Sequence, residues 1–463
     1  MINSKYVKLI GMDKIRNTPK DDFSAVDFGD KRLNKRLQKT IGNITKNAEK
    51  SILGAEGKRS SAKAFYRLLG NEKFDLEKLS NASKNATIDR MEGTVLLIED
   101  TTDVNLNGHK KTKELGYSSE HVLGVKVHSC IAVKPGGLPL GLVGQSYDTR
   151  PEAKSKLTKA EKAARPIEEK ESFRWMKMLE ESTANIPENV HLITICDREG
   201  DFYELYAYAQ KLGEDFIIRV SHDRVTESNE KLLKQIRKTE ATGQVTINIP
   251  RDTRENIPAR QAELEIAYCS ITIKKPQSVN DDTLPGTLSM NFVRITEINT
   301  KEGRKPIEWI LATSLQINSP DEAMKVVEYY VERWKIERFH YVLKSGCNAE
   351  KIQQRTYERI KPMLLIYSVI AMYIMAITYI GRVLPDTKCD LFLSADEWQM
   401  LYRIIHKTKK APKKPYSMAD AVRYIGEIGS YKRSPSDGPP GLKAIWSGLF
   451  KLFNFMELYE RLP

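Results

Sequence analysis

The sequence predicts an α/β fold, with helical regions before and after a mixed core. Three observations carry this. Two continuous apolar runs, Thr94–Ile98 and Val190–Cys196, have the length and β-branching of strands buried on both faces. Strand and helix patterns alternate from about residue 76 to about 240. An amphipathic helix around Glu337 then follows a stretch of short alternating strands.

Taken in order, residues 1 to about 75 read as helical and basic. Asp30 is placed to cap a helix holding Lys31, Arg32, Lys35, Arg36 and Lys39, with Leu33 and Leu37 on another face. A second helix over about Ser60–Leu69 carries Lys63, Tyr66 and Arg67. The plain reading is two helices of a small bundle; their basic density points to contact with a phosphate backbone. A helix precedes the Thr94 strand. Strands at about Gly124–Val133 and Leu138–Val143 flank Lys134-Pro135-Gly136-Gly137, a hairpin turn. A charged helix is expected over about Lys159–Ser182, then the Val190 strand, a helix near Phe202–Leu212 and the Phe216 strand. From about 241 to 318 short strands recur, at Gln244–Ile249, Ala262–Cys269 and Asn291–Ile298. Two linker-like stretches, Lys407–Pro415 and Lys432–Gly441, set off the tail. Its last segment, Leu442 to Tyr459, carries Leu442, Ile445, Leu449, Leu452, Phe453 and Met456 at helical spacing.

The 463 residues suffice for two or three domains, and 29% charged with 40% hydrophobic residues is ordinary for a soluble globular chain. The net charge of +13 indicates a polyanionic partner: DNA, RNA or an anionic membrane surface. The five cysteines are odd in number and scattered, which excludes a disulfide framework and zinc-finger spacing. No apolar signal-peptide core opens the chain. Met363–Ile380 is apolar enough to be weighed as a membrane span. Tyr367, Ser368, Tyr373, Thr378 and Tyr379 dilute it, so it is assigned as a core helix.

Chemistry concentrates on Tyr330, Arg333, Glu337 and Lys344. On one helix these offsets put the four side chains within about 60° of arc. A carboxylate between two cations and a phenol suits a metal ion beside a phosphate: Glu337 for the metal, Arg333, Lys344 and Tyr330 for phosphate oxygens. An i,i+4 pair on a solvated face is the bland alternative. Glu337 has company, however. The Thr94 run gives way to Glu99-Asp100-Thr101-Thr102, and the Val190 run to Asp197-Arg198-Glu199. Carboxylates at strand ends are where α/β sheets place ligands.

These residues resemble the Asp-Asp-Glu triad and the Tyr-Arg-Glu-Lys signature of RNase H-like cut-and-paste transposases, specifically the bacterial insertion-sequence-four family of the Tn-five type. Supporting matches are Gly29-Asp30-Lys31-Arg32, Ala64-Phe65-Tyr66-Arg67, Phe216-Ile217-Ile218-Arg219 and Glu308-Trp309-Ile310-Leu311. Leu33 stands where the family can carry a second basic residue. The resemblance implies an RNase H-like core with a β-rich insertion. It divides the chain into a helical DNA-end-binding domain at 1–75, a catalytic domain at 76–380 with the insertion at about 241–318, and a helical dimerisation domain at 381–463. It implies Asp100, Asp197 and Glu337 as catalytic metal ligands for Mg²⁺, with Mn²⁺ as a substitute. It also implies DNA contacts by Tyr330, Arg333, Lys344, Trp309, Trp334, Arg219, Arg36 and Arg67. Taken alone each tryptophan is more often core than a stacking platform; Trp309 matches a base-flipping tryptophan, which brings the two readings level for it, and Trp334 matches a second aromatic. The implied partners are double-stranded DNA (transposon ends and target) and a second copy of the chain, with no membrane. The implied location is the bacterial cytoplasm, at the nucleoid. A hairpin on the transposon end is the implied intermediate. A DNA-binding repressor or domesticated relative with an unused triad, or a simple metal-dependent nuclease, are the alternatives.

Overall fold

The computed structural model describes residues 18–151, 158, 161, 165–249, 258, 260–300, 306–432 and 438–459. Among the described residues ten strands form one sheet: β1 Gly93–Asn105, β2 Tyr117–Ser119, β3 Val122–Val133, β4 Pro139–Asp148, β5 Val190–Cys196, β6 Asp215–Arg219, β7 Gly243–Ile249, β8 Arg260–Lys274, β9 Thr287–Glu297 and β10 Glu308–Thr313. The helices are α1 Pro19–Asp22, α2 Lys31–Lys46, α3 Ile52–Glu56, α4 Arg59–Leu68, α5 Leu76–Ile88, α6 Phe173–Thr183, α7 Tyr203–Leu212, α8 Leu232–Arg237, α9 Pro320–Val331, α10 Trp334–Tyr341, α11 Tyr357–Val383, α12 Ala395–His406, α13 Met418–Ile428 and α14 Leu442–Tyr459.

The sheet order is β2-β3-β1-β5-β6-β10-β9-β8-β7, with β4 also paired to β3. β1, β3 and β4 form an antiparallel meander; β5 and β6 then add in parallel to β1. An antiparallel trio followed by two parallel strands, with helices on both faces, is the RNase H-like arrangement. The strands of residues 241–318 extend this same sheet, because β10 pairs antiparallel with β6, placing Leu311 opposite Arg219.

Side-chain alternation sorts the core into two faces. Leu96, Ile98, Ile193, Ile195, Ile217 and Leu311 join one large cluster shared with α9–α14 and the N-terminal helices. Residues one position away face the other side. There Cys196, Phe216, Ile218 and Ile310 pack with α6, α7 and α8, while Val95, Leu97 and Leu192 pack with the end of α5 and Met178. Met363–Ile380 is the buried middle of α11, the core helix expected.

Three expectations are corrected. Asp100 does not end its strand. β1 leaves β5 after Ile98–Ile195 but stays paired with β3 to Asn105, so Asp100 lies mid-strand opposite Ser129. Tyr330 to Lys344 is not one α-helix. Backbone bonds three residues apart tighten the chain at Glu332–Arg333, and a π turn over Val342–Gly346 widens it. The helix expected over about Lys159–Ser182 is interrupted: its described C-terminal part is α6, which begins at Phe173. It is preceded by Pro166 and a short 3₁₀ turn; residues 159, 160 and 162–164 lie outside the described residues, as do 433–437 of the second linker.

The terminal stripe is also resolved. Asp30 caps α2 by accepting from the Arg32 amide, and α14 runs from Leu442 as expected. Leu442, Ile445, Leu449, Leu452 and Phe453 are buried within the chain, and Met456 is partly buried. α14 crosses α13 at backbone contact. A Cβ on Gly448 would strike the Ile425 carbonyl, and one on Gly429 the Ala444 carbonyl. Phe455, Leu458 and Tyr459 remain exposed at the far end. Leu449→Asp should therefore lower stability by at least about 3 kcal/mol in denaturant titration, since it removes a core leucine and buries a charge. Leu458→Asp, at a residue 61% exposed, should leave the midpoint within error; equal losses from both would contradict the packing.

Candidate active site

The same alternation that sorts the core aims the candidate side chains. Asp100 shares the parity of Leu96 and Ile98, Asp197 that of Ile193 and Ile195, Arg219 that of Ile217, and Trp309 that of Leu311. All four project from one end of the sheet onto the face covered by α9 and α10. The register sets the spacing: Asp100 and Asp197 each lie two residues beyond the last β1–β5 pair.

α10 brings Glu337 over β1, and Arg333, at its N-cap, links the carboxylates. Its Nη2 donates to Glu337 Oε1 at 2.6 Å, and its Nη1 lies 3.9 Å from Asp100 Oδ2. The Thr101 amide donates to Asp100 Oδ1 at 2.7 Å, and the Glu199 amide to Asp197 Oδ1 at 2.8 Å. Burial, then the nearby Asp197 charge, pushes the Asp100 carboxyl up to about 7; Arg333 and the Thr101 amide oppose this, and Glu337 adds to it. Lys344, in the π turn, is half-buried. Burial lowers its pKa, while Glu350, Asp103 and Asp100 act in the opposite sense.

An aromatic and cationic group adjoins the carboxylates. The Trp309 and Tyr330 rings meet edge-on at 5.4 Å, and the Arg219 guanidinium lies 5.7 Å from the Trp309 ring centre. The buried Tyr330 hydroxyl sits beside Arg219 without forming a well-shaped hydrogen bond, and burial raises its pKa. Trp334 is 44% exposed on the outside of α10. Arg67 is exposed on α4; Arg36 is half-buried on α2 with its Nη1 unpaired. The structure thus gathers Asp100, Asp197, Glu337, Arg333, Lys344, Tyr330, Arg219 and Trp309, and leaves Trp334 outside the group. Arg36 and Arg67 belong to the N-terminal helices.

Residues not singled out from sequence complete the site. His340, one turn after Glu337, is buried with Nδ1 4.0 Å from Asp100 Oδ2 and Nε2 unpaired; burial holds its pKa at about 3. Its position three residues past Glu337 was the available signal. Behind Asp100, on the opposite face, burial raises the Glu99 pKa and depresses that of His128 to about 3. His128 joins Glu99 Oε2 at 3.2 Å and Thr101 Oγ1 at 2.9 Å. Asp201 ties the loop after Asp197 to the chain after Arg219: its carboxylate accepts from the Ser221 amide at 2.5 Å, the His222 amide at 2.8 Å and the Tyr206 hydroxyl at 2.7 Å, and pairs with Arg224 at 2.5 Å.

The donor set is hard oxygen, which suits Mg²⁺-like ions rather than soft metals. Among the described residues no three His, Cys, Asp or Glu side chains are gathered tightly enough to hold an ion as they stand. The Arg333 guanidinium bonds Glu337 and approaches Asp100 in this arrangement.

Three family models match the chain: Transposase DNA-binding over residues 16–74, Transposase DDE domain over 92–374 and Transposase Tn5 dimerisation domain over 369–461. Among solved structures the chain is similar to a piggyBac transposase in a synaptic complex with hairpin DNA. The identity is 10% and the TM-score 0.36, over 98% of this chain and 72% of that one. The DDE model alone covers well over half of the chain, which therefore belongs to the DDE transposases.

Proposed function

We propose that this DNA transposase is of the insertion-sequence-four type, and that Asp100, Asp197 and Glu337 are its metal ligands. The carrying observation is the convergence of two strand carboxylates and one helix carboxylate around Arg333 on a single face of the sheet. Mg²⁺, or Mn²⁺ in its place, would activate the attacking oxygen and stabilise the departing one. Arg333, released from Glu337, and Lys344 would take phosphate oxygens beside the scissile bond. Tyr330 would donate its otherwise unpaired hydroxyl. Arg219 and Trp309 offer a cation and a ring for an extruded base, which supports cleavage through a hairpin on the transposon end. The N-terminal helices, with Arg36 and Arg67, would hold the end, and residues 381–463 would pair two copies. Since the α14 stripe is buried within the chain, the exposed Phe455, Leu458 and Tyr459 are the better candidates for that contact.

Supercoiled plasmid carrying candidate ends separates the alternatives. Insertion products mark a transposase, cutting alone a nuclease, and binding alone a repressor. Asp100→Ala, Asp197→Ala and Glu337→Ala should each reduce nicking at least about 1000-fold, the loss of roughly 4 kcal/mol of transition-state stabilisation. End binding, read by mobility shift, should change little. Near-wild-type nicking by Glu337→Ala would remove it from the site.

Metal binding should depend on pH through Asp100. Its folded pKa, about 7, lies above the ordinary 3.8. The proton therefore stabilises the metal-free fold at low pH, an advantage lost as pH rises to 7. An ion must displace that proton, so the Mg²⁺ concentration giving half the metal-induced rise in Tm should increase about tenfold per pH unit below 7. A flat profile between pH 5.5 and 7 (about one to two units of titration) would show that Asp100 is ionised before metal arrives.

For the base pocket, 2-aminopurine near the transposon end should brighten on binding the wild-type protein. Trp309→Ala should cut that signal severalfold, since stacking on an aromatic is worth roughly 1–3 kcal/mol per base. An unchanged signal would return Trp309 to a packing role.

A further inference from the structure

Residues 407–415, a linker by composition, form a described loop between α12 and α13. Lys407, Lys409, Lys410, Lys413 and Lys414 are all exposed on it. No acidic residue occurs from Gln399 to Ala419. Among the described residues none of the five lysines has a carboxylate partner. The nearest acidic residues in sequence on either side are engaged elsewhere: Glu397 accepts from the Ser394 amide, and Asp420 from Ser417 and Arg423.

The loop is held rather than loose. The Thr408 amide bonds the Arg403 carbonyl across a left-handed Lys407, and the Lys410 amide bonds Thr408 Oγ1. At the far end the Tyr416 hydroxyl donates to the Trp398 carbonyl, and the Cys389 amide to the Tyr416 carbonyl. Pro412 and Pro415 restrict the chain between. Aromatic groups border it: the exposed His406 stacks on the half-buried Tyr402 at 4.1 Å and meets the half-buried Tyr424.

We propose that this loop is a second DNA surface, outside the segment matched by the DNA-binding model, which grips duplex phosphates without regard to sequence. Eight residues extend over at most roughly 28 Å, a length along which one DNA strand presents about eight phosphates. Five anchored, uncompensated cations on that span match a regular polyanion. A solvated face of mixed charge has no such bias. The proposal rests on the chain handling DNA and is independent of the metal-ligand assignments.

The test replaces all five lysines with Gln in the full chain and measures affinity for an arbitrary duplex of about 30 base pairs across about 50–250 mM KCl. A matched control carries Lys177, Lys211, Lys231, Lys234 and Lys238→Gln, which are exposed lysines elsewhere. The slope of log affinity against log salt should fall by up to about 4 in the loop variant, at about 0.9 per phosphate contact, and by less than about 1 in the control. Affinity near 100 mM salt should drop at least about tenfold. A wild-type slope in the loop variant overturns the surface, as does an equal loss in the control. Loss of binding to phosphatidylserine vesicles with duplex affinity intact also overturns it, in favour of a membrane. A wild-type protein with no salt-dependent duplex affinity would instead count against the DNA role of the whole chain.

Discussion

Like charges crowded at a half-buried site must be compensated, and the structure is organised around that requirement. Asp100 and Asp197 are fixed two residues past the end of the same parallel ladder, and Glu337 is lowered onto them by α10. Without a cation, one carboxylate takes up a proton or a guanidinium moves in. Both responses are visible: Asp100 is pushed up to about 7, and Arg333 bonds Glu337 at 2.6 Å. The tightened turn at Glu332–Arg333 helps place that guanidinium over the sheet, at the N-terminus of the helix that carries its partner.

The surroundings are built to hold this unstable group still. Asp201 and Arg224 form a buried ion pair of the kind that adds little net stability but defines position, because each charge must meet its partner. The loop bearing Asp197 is thereby bound to the chain leaving Arg219. On the far side of β1, Glu99, His128 and Thr101 form a chain of hydrogen bonds ending one residue from Asp100. Burial favours the neutral form of both Glu99 and His128, so this support adds little charge behind the site.

Much of this was legible in the sequence because its signals are local. Apolar runs marked β1 and β5, the Asp30 cap marked α2, and the apolar spacing from Leu442 marked α14. What was not legible depends on partners far along the chain. β1 outlasts its apolar run because β3, itself legible as a strand, pairs with it to Asn105, and no signal within β1 announces that pairing. The strands of the 241–318 segment announce themselves by alternation, but nothing in alternation says that β10 docks on β6. The α14 stripe has the same spacing whether it meets another copy or, as here, α13 and the core. Trp309 and Trp334 are alike in the sequence; only the sheet register places one beside Tyr330 and leaves the other exposed on α10.

The π turn at Val342–Gly346 has a consequence for how this chain can change in length. Its closing bond runs from the Cys347 amide back to the Val342 carbonyl, one residue more than an α-helix takes. Gly346 lies under the Trp446 ring of α14, where even a Cβ would approach it at 3.1 Å. Removing one residue would let the turn close on an α-helical bond, and because Lys344 and Gly346 lie inside it, both would be re-aimed relative to Glu337 and Trp446. This five-residue stretch joins the helix that carries Glu337 to the packing of α14, so a change in its length would act on both at once.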